Sequence, residues 1–314
     1  MLTKTRNSCL LAVILVITPH GPAWAQSQIG TRASGMAGAF VAVADDATAV
    51  YWNPAGVASG ALISAVVDYG RGEDPPHPPQ TTVPQKDTAV FVGLSATAIG
   101  VAYYRFGTYG ARNLEPAVTA APSREEVRRS VHAVSPSTLG VSLVQSLTDH
   151  LVVGATPKFM HGGSSNTFDV DAGVMLTANR FHVGLVARNL TTPSFDTTEG
   201  DAATELGREV RLGGAWGSGW SGMSRVIVAV DGDLMSRVTP AGDRRDVAAG
   251  IETWWLSQRV GLRGGVRRST IGDSRSAVSA GFSAGFTAGM LLEGHLTLGQ
   301  SDERSWSIGA RVGF

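Results

Sequence analysis

The chain has 314 residues, with 26 basic and 26 acidic side chains, 39 glycines and one cysteine. That balance excludes the basic surface that nucleic acid requires, and a lone cysteine excludes a disulfide framework. No apolar run beyond the first 25 residues approaches the roughly 18 residues of a membrane-spanning helix.

The first 25 residues read as an export signal. Lys4 and Arg6 make a positive start, an apolar run extends from Leu10 to Ile17, and Ala23-Trp24-Ala25 supplies a small-x-small cleavage pattern. Cleavage after Ala25 leaves a chain that begins at Gln26. Cys9 precedes the apolar run, so it is not a lipid-anchor cysteine, and it departs with the signal. Loss of Lys4 and Arg6 leaves 24 basic and 26 acidic residues, a net charge of −2.

Residues 26–60 form a segment rich in Gly and Ala. Gly35, Gly38 and Ala39 permit close backbone packing around Phe40, and Asp45 and Asp46 can cap the turn that follows them. Asn53-Pro54-Ala55-Gly56 is turn chemistry: Asn accepts local hydrogen bonds, Pro restricts φ and Gly admits positive φ.

From Ala61 onward the pattern is period two, the signature of strands with two different faces. Fourteen stretches are predicted, near 61–69, 88–95, 99–108, 129–146, 151–162, 167–178, 181–191, 207–218, 225–237, 246–255, 259–269, 276–286, 290–300 and 305–314, with twelve as the alternative count. Many run to about ten residues, the length of a tilted membrane-crossing strand; soluble sheets more often use five or six. Connections after even-numbered stretches are tight, as at Asn179–Arg180 and Thr287–Gly289. Those after odd-numbered ones tend to be long and polar, as at Gly70–Asp87, Tyr109–Arg128 and Thr192–Leu206. Short connections on one side and long ones on the other predict an all-β, antiparallel transmembrane barrel of about fourteen strands over residues 61–314. Hydrocarbon offers no hydrogen bonds, so every strand edge must be paired and the sheet must close.

The faces are readable strand by strand. Trp306, Ile308, Ala310, Val312 and Phe314 lie opposite Ser307, Gly309, Arg311 and Gly313. On the same logic Lys158, Asp169, Asp171, Arg188, Asp231, Asp233, Glu252, Arg263, Glu293, His295 and Arg311 face the lumen. An Arg or Lys facing lipid at mid-depth costs roughly 2–4 kcal/mol. Trp216, Trp220, Trp254 and Trp255 are expected at one interface, and Tyr103, Tyr104, Phe106 and Trp306 at the other.

Catalysis and metal binding find little support. Gly281-Phe282-Ser283-Ala284-Gly285 matches a nucleophile-elbow pattern, but it sits in an alternating stretch rather than a strand-to-helix turn. No histidine pair has metal-ligand spacing, and neither a metal nor a cofactor is assigned.

Gly35-Met36-Ala37-Gly38-Ala39-Phe40, Ala44-Asp45-Asp46-Ala47 and Tyr51-Trp52-Asn53-Pro54-Ala55-Gly56 resemble the FadL-type outer-membrane transporter superfamily, including PorV/PorQ-like barrels. The resemblance covers about thirty residues closely and the rest as architecture. It implies outer-membrane location and a hatch (residues 26–60) inside a fourteen-stranded barrel, with Asn53, Pro54 and Ala55 near a lateral opening. It also implies a monomer for passive uptake of small hydrophobic compounds such as fatty acids or hydrocarbons. This chain departs from the pattern in lacking a long apolar helical hairpin in its outer loops; loop Tyr109–Arg128 carries Arg112, Glu115, Arg124, Glu125, Glu126 and Arg128. The PorV-like branch supplies the alternative, a barrel that serves as scaffold or shuttle in protein secretion or surface attachment. Trp306, Ile308, Val312 and Phe314 resemble the signal read by the barrel-assembly machinery. Outer-membrane lipid, that machinery and a hydrophobic small molecule are the expected partners.

Overall fold

A computed structural model describes residues 29–74, 85–112, 131–195, 204–218, 224–239, 242–272, 275–287, 289–300 and 303–314. The expected export signal over residues 1–25, Trp220 and most of the charged loop after Tyr109 lie outside them.

Fourteen antiparallel strands close into a barrel, in agreement with the larger of the two predicted counts. In chain order they are β1 (Ile63–Asp74), β2 (Gln85–Ala96), β3 (Ile99–Arg105), β4 (Ser137–Ser146), β5 (Leu151–Gly162), β6 (Ser165–Ala178) and β7 (Phe181–Arg188). There follow β8 (Glu209–Gly217), β9 (Arg225–Asp233), β10 (Asp246–Trp255), β11 (Val260–Ser269), β12 (Ser276–Thr287), β13 (Met290–Gly299) and β14 (Arg304–Gly313). Each pairs with the next, and β14 returns to β1 in register from Ser64↔Gly313 to Glu73↔Arg304. Phe314 fastens the seam, exchanging backbone hydrogen bonds with Ile63 at 3.2 and 3.0 Å.

Predicted and observed strands differ most at 129–146. Only Ser137–Ser146 joins the barrel. Val131–Val134 pairs instead with Thr108–Arg112, in a small sheet completed by Thr204–Glu205 and Ser194–Phe195. The expected loop asymmetry has an exception: β5 and β6, on the side of the longer connections, are joined through Gly163 and Ser164 alone. On the opposite side, Asn179 adopts φ 55° in the two-residue turn before β7, a left-handed conformation that Asn tolerates.

Alternation governs the wall. Val67, Leu94, Val101, Leu139, Leu185, Val228, Ile251, Leu262, Leu296 and Ile308 face outward and are exposed. An apolar belt of that extent suits hydrocarbon, not water. The inward face carries Gly, Ser, Thr and charge, together with apolar residues such as Val66, Phe91, Tyr104, Val186 and Ile227.

The N-terminal segment is packed against that inward face. From Ile29 to Val57 every residue except Asp45 and Tyr51 is buried. Its helix α1 (Thr31–Gly35) touches β11–β14 and β1, while a 3₁₀ turn (Pro54–Ser59) touches β4–β6 across the ring. Between them lies the single-turn helix α2 (Ala49–Trp52). The buried apolar core is therefore made largely by this segment, with Phe40, Val41, Val50 and Trp52 at its centre.

Candidate functional site

The α1 end of the segment is held by charge. Arg32 binds Glu252 of β10 through two contacts, Nε to Oε1 at 2.8 Å and Nη2 to Oε2 at 2.7 Å. Its Nη1 meets Asp45 and, at 3.3 Å, Asp46. Planar two-point pairing of this kind fixes orientation as well as charge. Burial alone raises the Asp46 carboxyl, but Arg32, Arg311 and two hydrogen bonds from Thr48 outweigh it and hold the group below the usual carboxylate range. Asp46 accepts from the backbone and hydroxyl of Thr48 in the turn before α2, whose first turn carries no side-chain cap, whereas Asp45 is drawn to Arg32. Thr31 Oγ1 donates to Asp68 of β1 at 2.7 Å.

The middle of the segment is held by backbone groups. Asp231 of β9 accepts from Phe40 N at 2.7 Å and Val41 N at 2.8 Å, and Arg211 of β8 donates to Gly38 O at 3.2 Å. Gly38 has φ 83°, which only glycine adopts cheaply. At Gly35 a Cβ would sit 2.7 Å from Arg263 Cδ. Gly35 thus has a packing reason and Gly38 a conformational one.

The Asn53-Pro54-Ala55 end carries no charge. Asn53 is fully buried; its Nδ2 donates to Val41 O at 3.0 Å and to Val174 O of β6 at 3.1 Å, and its Oδ1 accepts from Ala55 N at 3.2 Å. Three wall glycines make room for this turn. A Cβ on Gly154 would lie 2.6 Å from Ala55 N, one on Gly184 would lie 2.9 Å from Asn53 Nδ2, and one on Gly173 would overlap Asn53 Oδ1. Beside them the wall ladder is broken. Pairing of β4 with β5 runs from Ser137↔His161 to Gly140↔Lys158 and resumes at Leu143↔Ala155, so that Val141 and Ser142 have no backbone ladder partners on β5, although the Ser142 and Thr156 hydroxyls meet at 2.7 Å across the interruption. Pro157, which has no N–H to give, stands at the gap. The β3–β4 ladder on the other side is continuous.

All eleven charges predicted to face the lumen do so. Lys158 bridges Asp169 and Asp171 at 2.8 Å each, and Glu293 receives Arg263, Arg311 and Ser283 at 3.3, 3.2 and 2.7 Å. Ser283, the centre of the elbow-like motif, is thus a strand residue tied to a carboxylate, and His295 faces Ser307 instead. Three aromatic expectations fail. Trp254 is not interfacial but inward and buried, between the guanidinium groups of Arg263 and Arg311. Tyr104 and Phe106 turn inward onto Tyr51, with ring centroids 5.6 and 5.5 Å away. Tyr103, Trp216, Trp255 and Trp306 are exposed on the outer face.

Cavities divide by end. Toward the tight-turn side a vestibule of about 590 Å³ is bordered by Asp45, Ser59, Arg225, Arg259 and Phe314, and about 100 Å³ more lies between Val43 and β6–β9. Toward the long-loop side two spaces of about 30 Å³ each surround Tyr51 and Arg188. Among the described residues, the apolar lining on this side comes from Tyr51, Tyr104, Phe106, Met160 and Leu206.

The architecture has counterparts of known structure. The CymD monoaromatic hydrocarbon channel superposes with TM-score 0.62 at 12% identity, over 93% of this chain and 99% of its own. A Pseudomonas aeruginosa FadL homologue gives 0.59 at 11%, over 93% and 100%. The Ralstonia pickettii toluene transporter TbuX gives 0.56 at 10%, over 91% and 98%. The chain has the FadL-type barrel fold. A family profile described as F plasmid transfer operon, TraF, protein matches residues 161–233, from the end of β5 to the end of β9 and less than half of the chain. No curated protein matches it by sequence.

Several residues of this FadL-type barrel escaped the sequence reading. Arg211 and Arg267 obey the same inward alternation as the eleven charges and were legible in principle. Arg32, Gly154, Gly173, Gly184 and Pro157 were not, because their importance depends on what the far wall brings against them.

Proposed function

We propose that the chain is an outer-membrane channel for passive uptake of small hydrophobic compounds, with residues 26–60 as a hatch that closes its lumen. The observation that carries this reading is the meeting of the uncharged Asn53-Pro54-Ala55 turn with a glycine seam beside the unpaired stretch of β4 and β5 at Pro157. A compound admitted on the long-loop side at Tyr51 has that turn below it and the gap beside it. Movement of the turn opens the gap toward lipid, and selectivity follows from shape, with no covalent step. The channel acts as a monomer, and Trp306, Ile308, Val312 and Phe314 present the strand that the assembly machinery reads; three of these four are strongly exposed.

The densely paired lumen favours a second reading, a barrel that does not transport and serves as a scaffold or shuttle in protein secretion or surface attachment. Deletion of residues 27–58 separates the two. For a hatch, permeability to small solutes rises while the barrel keeps its heat-resistant mobility on gels; unchanged permeability sinks the hatch. Mass spectrometry of organic extracts after mild detergent exchange gives the companion result. A stoichiometric hydrophobic ligand lost on deletion supports uptake, and an empty barrel that retains a protein partner supports the scaffold.

A further inference from the structure

The outward-facing strand residues differ between the two ends of the barrel. At the tight-turn end they are apolar, as at Ile63, Leu143, Leu176, Trp255, Val260 and Met290. Among the described residues no barrel strand turns a charge outward there. At the long-loop end Arg71 of β1, Arg105 of β3, Arg268 of β11 and Arg304 of β14 all face outward and are exposed. They stand within the wall rather than in the loops, because each has an apolar outward residue as a cross-strand neighbour. Arg71 lies opposite Trp306, Arg105 opposite Val90, Arg268 opposite Val247 and Arg304 opposite Leu298.

These arginines also come in diagonal pairs. Arg245, exposed just before β10, precedes Val247 by two residues and so stands one diagonal step from Arg268; its Nε donates to Thr270 Oγ1 at 3.1 Å. Arg304 stands in the same relation to Arg71, with Glu73 opposite it as an outward carboxylate. Diagonal neighbours across antiparallel strands lie roughly 7–8 Å apart, so two long side chains can hold one group between them. Arginine stems lie along apolar surface while their heads rise from its edge, and the guanidinium fork matches phosphate oxygens. An aqueous rim alone would suit charged strand residues at either end. Arginine at one end points to a leaflet on that side whose headgroups are negative.

We propose that the outer wall at the long-loop end binds an anionic, phosphate-bearing lipid, its phosphate between Arg245 and Arg268 and its acyl chains on the belt below, at Val247 and Val266. Arg71 and Arg304 make a weaker copy of the site, because Glu73 offsets part of their charge. The apolar belt continues directly from the arginines, so a lipid meets both and a free anion meets the arginines alone. The site requires the barrel to lie in a membrane and is independent of the uptake reading.

The test offers the full-length mature protein in detergent equimolar dimyristoylphosphatidylglycerol and dimyristoylphosphatidylcholine, and reads the bound lipid by native mass spectrometry. Phosphatidylglycerol is expected to be bound about fivefold or more over phosphatidylcholine. Arg245→Gln with Arg268→Gln removes most of that preference, and Arg71→Gln with Arg304→Gln removes less. Arg180→Gln with Arg259→Gln, in turns at the tight-turn end, leaves it unchanged. Wild-type binding without preference overturns the proposal, as does a preference that survives both long-loop variants. Equal loss in the tight-turn variant would reduce the effect to overall charge and overturn it as well. Inorganic phosphate, set against chloride at matched ionic strength, should leave the bound lipid in place; displacement would show a site for a free anion instead of a lipid. The side chains concerned are exposed, so Arg268→Gln alone serves if a double variant fails to assemble.

Discussion

The two ends of the N-terminal segment are fixed to the wall by opposite means. Around α1, Arg32, Asp46, Glu252 and Arg311 form an ionic knot that spans the lumen. Around Asn53-Pro54-Ala55 there is no charge at all, only an amide with its hydrogen bonds satisfied and three glycines that let the backbone touch the strands. Buried charge tolerates little loss, because a partner left alone in low dielectric is costly. Close packing tolerates little gain, because an added methyl has nowhere to go. The difference marks the ionic end as the anchor and the uncharged end as the part that can shift without stranding a charge.

The largest effect is expected at the anchor. Arg32→Met removes the cation shared by Glu252, Asp45 and Asp46, leaving Glu252 with Arg263 and Asp46 with Arg311, and loss of one partner from a buried ionic group costs about 3–5 kcal/mol. Hydrogen exchange should show the segment from Ile29 to Trp52 losing protection while the strands keep theirs. If only residues next to Arg32 respond, the knot is not what holds the segment.

Gly173→Leu comes next and attacks the other end. Overpacking of this kind costs about 1–3 kcal/mol, and relief is available only by expelling the Pro54 turn. The expected readout is raised permeability with the protection of α1 unchanged. Equal loss of protection at both ends would show that the segment moves as one body and would dissolve the distinction between anchor and gate.

These effects depend on residues of unequal visibility. Period-two alternation placed Lys158, Asp169, Glu252, Glu293 and Arg311 inside from local pattern alone, because a strand has only two faces and lipid rejects one set. The closing strand was equally visible, with Phe314 in register behind Trp306 and Ile308. Tyr104 and Trp254 were misjudged because composition, not parity, guided their placement; each occupies an inward position on its strand. The glycine seam was hidden for a different reason. Gly154 and Gly173 face each other across β5 and β6, yet nothing local says that Pro54, about a hundred residues earlier, will lie on them. Pairing at that distance is a property of the closed ring.

A smaller effect sharpens the gate itself. Pro157→Val restores a backbone donor and lets the β4–β5 ladder run through Val141 and Ser142. Stability is expected to rise by about 1 kcal/mol from the added hydrogen bond. Uptake through the wall should fall several-fold, read as the rate of hydrophobic-solute entry into proteoliposomes. Undiminished entry would send the path down the barrel axis, toward the 590 Å³ vestibule.

The smallest effect is the pH response of the anchor, and its sign follows from the direction of the Asp46 shift. A carboxyl held below its ordinary range by Arg32 and Arg311 favours the folded arrangement at every pH above about 4, the usual Asp value. That contribution is lost only as pH falls through the lowered folded-state value. Arg32 and Arg311 stay charged throughout, so they add no step of their own. The Asp46 share of that protection, read as the difference between the wild type and Asp46→Asn in hydrogen exchange corrected for intrinsic rates, is therefore expected to stay constant from about pH 8 to about 5 and to decline below about 4. Asp46→Asn should lower protection at neutral pH and flatten the acid decline, since the amide has no charge to lose. A decline that persists unchanged in Asp46→Asn would assign the acid sensitivity to the carboxylates of the wall, and the anchor would then lie in Glu252 and Glu293 rather than in the segment's own Asp46.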